Sequence, residues 1–140
     1  MRVRFEFTAR STYDGIKYVP LVDVVFTNFE NRKNLKIECR IDSGADEIIL
    51  PAEVGIMLGL ALETGERLEF QGFTQNPVIG YCHKVDMQII GDTRTYTVPC
   101  SFVFGLKTTG LLGIRGLFDN YKITFDLGKK QFDLKPINEK

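Results

Sequence analysis

The chain has no tryptophan, a single histidine (His83) and three cysteines, Cys39, Cys82 and Cys100, with no C-x-x-C pair. A structural zinc site takes four Cys or His ligands. One chain would need every such residue it has to build one, and their spacing fits no zinc template. The thiols read as free and in part buried, which suits a reducing compartment and points to the cytoplasm. An excess of either charge is also missing: Lys plus Arg number 18 and Asp plus Glu 18. That balance gives no electrostatic footprint for nucleic acid or an anionic membrane. No apolar run is long enough to span a bilayer. The opening residues MRVRFEFTAR lack the apolar stretch of a signal peptide.

What is present fits one domain over residues 1–140. A chain of this length can bury a core without disulfides or metal. Its 44% hydrophobic and 26% charged residues are ordinary for a globular protein. Most segments alternate with period two, the signature of half-buried strands. Val3, Phe5 and Phe7 alternate with Arg and Glu, and Ile37, Cys39 and Ile41 do the same. Val85, Met87 and Ile89 precede a Gly91-Asp92 turn, and Tyr96, Val98, Cys100, Phe102 and Phe104 return from it. Ile123, Phe125 and Leu127 alternate up to Gly128-Lys129, and Phe132 and Leu134 follow. Frequent turns between short strands predict a mostly β chain, a small closed barrel or sandwich. One helix is expected over residues 51–60, with Pro51 in the first turn and Gly59 at the end. A second short helix is expected over residues 111–118.

The sharpest chemical signal is Asp42-Ser43-Gly44-Ala45, placed between the strand ending at Ile41 and the apolar run Ile48-Ile49-Leu50. A carboxylate at the end of a buried strand is costly unless its surroundings serve it. Gly44 allows a tight turn or close approach to a ligand. Ser43 brings a hydroxyl that can fix the loop, and Ala45 leaves room for a substrate. Alone, D-[ST]-G-[AS] arises by chance in roughly one in a hundred chains of this size, and Asp42 could simply be the acceptor of an Asx turn. The order of elements is more specific. Leu111-Leu112-Gly113 lies downstream, and between the two motifs residues 69–82 read as two strands around a polar tip, a mobile hairpin.

On these residues the chain resembles the retropepsin-like aspartic peptidases, over roughly residues 20–135. Asp42-Ser43-Gly44-Ala45 matches the catalytic loop and Leu58-Gly59-Leu60 the end of the segment after it. Residues 69–82 match the flap, and Leu111-Leu112-Gly113 matches the apolar-apolar-Gly motif that backs the active site. The resemblance implies a closed β-barrel with one or two short helices and a flap hairpin, no cofactor and no metal. It implies Asp42 as the catalytic carboxylate, with Ser43, Gly44 and Ala45 completing its loop. Gly113, Asp46 and Arg115 would support that loop, the last two as an ion pair. Ile48, Phe73, Ile79 and Leu112 would line the substrate site, and Tyr81 and His83 would sit on the flap strand. Ser43 replaces the commoner Thr. Gly113-Ile114-Arg115-Gly116 lacks the Asp that many cellular relatives carry there, and the flap tip has fewer glycines than viral members.

This chemistry needs two carboxylates holding one proton, and the chain carries one copy of the motif. A C2 homodimer supplies the second by symmetry. The implied protein is a homodimer that hydrolyses a peptide or protein substrate and needs neither nucleic acid nor a membrane. Two other readings stay open: a dimerising or peptide-binding module with weak or absent hydrolysis, and a monomeric barrel that carries a ligand in a closed apolar cavity.

Overall fold

The computed structural model describes residues 2–71 and 76–137. The chain runs β1 (Val3–Glu6), β2 (Thr8–Thr12), β3 (Gly15–Val19), β4 (Leu21–Thr27), β5 (Asn34–Ile41) and β6 (Ile48–Pro51). A short helix α1 (Ala52–Met57) and a single 3-10 turn (Leu62–Thr64) follow. Then come β7 (Glu66–Phe70), β8 (Val78–Ile89), β9 (Tyr96–Val103), β10 (Gly110–Leu112), β11 (Tyr121–Asp126) and β12 (Gln131–Pro136).

Strands β4, β5, β10, β6, β9 and β8 pair in that order, and β8 pairs back onto β4, so the sheet closes into a six-stranded barrel. Closure removes the open edges that a flat sheet would expose. The long β8 makes it possible. Its second half pairs with β4 from Asp86 to Ile89, while its first half pairs with β7 from Val78 to Cys82 on one side and, from Gly80 on, with β9 on the other. One strand thus closes the barrel and carries a projecting hairpin.

Alternation places one face of each strand inside. On β4, Val22, Val24 and Phe26 are buried while Asp23 is exposed. Cys39 and Ile41 of β5, Val85, Met87 and Ile89 of β8, and Val98, Cys100 and Phe102 of β9 meet them. Each such aliphatic or aromatic side chain contributes about 1.5–3 kcal/mol relative to exposure. Burial also pushes the Cys39 and Cys100 thiols well above their ordinary range, so they stay protonated and inert. A separate sheet, β1-β12-β11, packs against the barrel through Phe132 and Leu134. Phe5 stacks on Phe132 at 5.4 Å, and Phe7 meets it edge-on at 5.2 Å. The β2–β3 ribbon forms a sheet of its own, tied to β5 by Arg10 and Glu38 at 3.1 Å.

Two expectations about helices change. The first helix is shorter than residues 51–60. Gly59 takes φ +77°, which a glycine adopts freely, and the Asn28 and Asn31 amides cap Leu58 O at 2.9 and 3.1 Å. Residues 111–118 form no helix. Leu111 and Leu112 belong to β10, and turns follow. An apolar run this short can fit a helix or a buried strand, and pairing with β5 and β6 decides for the strand.

The Gly91-Asp92 turn holds a buried carboxylate. Tyr121 Oη donates to Asp92 Oδ2 at 2.6 Å, and the Thr93 N–H donates to Oδ1 at 2.7 Å. Burial alone would raise the Asp92 pKa. The bonds from Tyr121 and from the Arg94 and Thr93 backbone, with the Arg94 charge, outweigh it and hold the group below its ordinary range. A folded-state value below the unfolded one means stability that is present at neutral pH and lost as pH falls below about 4. Tyr121→Phe leaves Asp92 Oδ2 without its donor and should lower stability by about 1–2 kcal/mol in a denaturant titration. Asp92→Asn should flatten the acid side of the stability–pH curve; an unchanged acid limb would show that Asp92 is not its source.

Candidate active site

Strand β5 ends inside the barrel at Ile41 and delivers Asp42 to its surface. The next turn is held by the aspartate itself: Gly44 N–H donates to Asp42 Oδ1 at 2.8 Å, and Ala45 N–H to Asp42 O at 3.2 Å. The Asx-type turn is therefore present. It occupies one carboxylate oxygen, and Oδ2 makes no hydrogen bond among the described residues. Asp42 is half-buried and borders a cleft of about 490 Å3.

The loop is fixed from the side by the chain around β10. That strand lies between β5 and β6, parallel to the first and antiparallel to the second. Asp42 N–H donates to Leu112 O at 3.0 Å, Ile114 N–H to Ala45 O at 2.9 Å, and Arg115 N–H to Asp46 O at 2.9 Å. Gly113 sits where the two segments are closest. A Cβ there would lie 2.5 Å from Ala45 O and 2.7 Å from Glu47 N, so no other residue fits without moving the loop.

The structure brings Asp42, Gly44, Ala45 and Asp46 to the cleft, with Ser43 exposed on the turn between them. Asp46 and Arg115 meet through their backbones, and among the described residues no ion pair joins their side chains. Ile48 and Leu112 are fully buried in the core, so their expected place on the cleft wall is corrected. Their neighbours Ile49 and Leu111, paired across β6 and β10, face the cleft instead. Ile79 is half-buried on β8, opposite Glu69, and is not a lining residue. Phe73 lies outside the described residues. Leu68, Glu69, Phe70 and Gln71 form the wall supplied by the β7–β8 hairpin. His83 is tied to Leu62 O at 2.8 Å, away from the cleft.

Glu47, which the motif reading passed over, also lines the cleft. It accepts a hydrogen bond of 2.5 Å from Ser101 Oγ on β9. The cleft is thus acidic, with Asp42, Asp46, Glu47 and Glu69 on its walls and no Lys or Arg lining it among the described residues. Among the described residues no group of three or more His, Cys, Asp or Glu could hold a metal ion. An aspartate with one free oxygen, opening on a groove with an apolar floor, can hold a water against an extended polar chain.

No family model and no curated protein matches this chain. Solved structures do. A retropepsin-like aspartic protease from Rickettsia conorii superposes with a TM-score of 0.63 at 18% identity, covering 96% of this chain and 91% of that one. The retroviral protease-like domain of Ddi1 from Leishmania major gives 0.54 at 14% identity, covering 86% of this chain and 98% of that one. At such identities the likeness is one of architecture, and the fold of this chain is that of the retropepsin-like aspartic proteases.

Proposed function

We propose that the chain is one half of a homodimeric aspartic endopeptidase whose two Asp42 carboxylates meet on the two-fold axis. The observation that carries this reading is Asp42 at the end of β5, clamped by the Leu112–Arg115 backbone and open on one oxygen to a cleft under a hairpin. The similar structures are themselves described as aspartic protease and protease-like domain. The single Asp-Ser-Gly-Ala in the sequence makes the second copy a requirement.

In the dimer one Asp42 is ionised and the other protonated, since like charges this close do not both form. The ionised carboxylate takes a proton from the water between them as that water attacks the scissile carbonyl. The protonated one donates to the carbonyl oxygen, giving a tetrahedral diol. Proton transfer to the amide nitrogen then releases the amine product. Substrate lies extended between the Asp42 loops and the β7–β8 hairpin, which acts as a flap and closes over it. Ile49, Leu111, Leu68 and Phe70 supply apolar contacts, and Ile79, outside the lining of the open cleft, joins them when the flap is down. Asp46, Arg115 and Gly113 keep the loop in place.

Asp42→Asn removes the ionisable group from both subunits and should lower the hydrolysis of unfolded peptides at least about a hundredfold, without loss of fold by circular dichroism. Full activity in that variant would end the proposal, and a folded dimer that cleaves nothing would favour the peptide-binding module. Activity of the native protein should follow a bell-shaped pH profile, as a pair with one proton requires. In sedimentation the protein should run near twice the 15.9 kDa of the chain. Specific activity should drop on dilution, in step with dissociation; activity that persists in a pure monomer would refute the shared site.

A further inference from the structure

Glu47 follows the Asp42 loop directly, and its side chain is half-buried. It shares a strand face with Ile49, two residues on, and both line the cleft. Ser101 stands opposite Ile49 in the β6–β9 register and is fully buried. A buried hydroxyl must find an acceptor. Ser101 Oγ donates to Glu47 Oε1 at 2.5 Å, across a sequence separation of 54 residues. This bond turns a flexible surface glutamate into an oriented one. It fixes one carboxylate oxygen against the barrel wall and leaves Oε2 for another donor.

Nothing in the chain supplies that donor among the described residues. The five ion pairs there leave out Glu47, Asp46 and Asp42. Glu69 alone of the cleft acids has a cation, Arg67 at 3.3 Å. Arg115 faces Glu47 across an isolated bridge, yet the guanidinium makes no ion pair with it. A concave wall lined by charge of one sign concentrates its field inside the groove.

We propose that Glu47, positioned by Ser101, is a specificity-determining residue that selects peptides with a Lys or Arg side chain beside the scissile bond. The aliphatic stem of such a side chain lies over Ile49 while its cationic head reaches Glu47. The ion pair forms in a partly desolvated groove, where it is worth more than on an open surface. Ser101 acts only through Glu47. The inference rests on the peptidase reading for its substrate, but it concerns binding and can be measured apart from the chemistry.

The test uses the full-length protein and peptides that differ at one position, Lys, Leu or Glu. The native protein should cleave the Lys peptide with a kcat/KM at least about tenfold above the Glu peptide. In Glu47→Gln that ratio should fall towards one. Ser101→Ala should lose part of it, and Ser101→Thr, which keeps the hydroxyl, should restore it. Peptide binding to Asp42→Asn, read by fluorescence anisotropy, should show the same order and weaken with salt. Cleavage without any charge preference, or a preference that Glu47→Gln leaves intact, overturns the role of Glu47. If the native protein cleaves nothing, the peptidase reading fails while the anisotropy series still decides on Glu47: a Lys preference lost in Glu47→Gln upholds it, and equal affinities overturn it.

Discussion

The cleft depends on where β10 lies. A strand of three residues, Gly110–Leu112, enters between β5 and β6, the strands on either side of the Asp42 loop. Those two strands then cannot pair with each other, and the loop between them must cross over the end of the inserted strand. Backbone hydrogen bonds from residues 112–115 fix that crossing at Asp42, Ala45 and Asp46. Main-chain donors hold the loop in one place, leaving its side chains free for other work. Gly113 is the point at which this arrangement tolerates no added atom. The rest of the barrel, from the buried face of β4 to the sheet of β1, β12 and β11, gives this crossing a rigid base.

Charge in the groove is arranged around that crossing. Among the described residues four acids face it without a lining Lys or Arg, although the whole chain is balanced at 18 of each sign. Apart from Arg67, which meets Glu69 at 3.3 Å, the paired arginines meet acids outside the groove: Arg4 with Asp133 at 2.9 Å, Arg10 with Glu38 at 3.1 Å. Net charge alone therefore hid a local field. The thiols take no part in it, since burial keeps Cys39 and Cys100 protonated. Cys82 is only partly buried, and its thiol is raised by burial first and then by the nearby Glu47 and Glu66 carboxylates.

Much of the fold was legible because the barrel has one dry face. Alternation marked β1, β5, β8, β9, β11 and β12, and Gly91-Asp92 marked the turn between β8 and β9. It failed where both faces of a strand are covered. Ile48-Ile49-Leu50 and Leu111-Leu112 are continuous apolar runs, and such runs carry no phase. The residues facing the cleft were placed one position out for that reason. The same runs made residues 111–118 look helical. Of the site, the Asp42 loop and Gly113 could be read from their motifs, because close backbone packing demands those residue types. Glu47 with Ser101 could not: the pair is joined only by the β6–β9 register, which no local pattern reveals.

The proposed hydrolysis requires two identical carboxylates to meet, each held by its own β10 clamp. A crystal structure of the assembled protein measures that meeting directly. The expected result is two copies related by a two-fold axis, with Asp42 carboxyl oxygens about 3 Å apart and a single continuous groove over both. An assembly that keeps the two Asp42 side chains too far apart to share a proton, or a protein that stays a single chain, would contradict it.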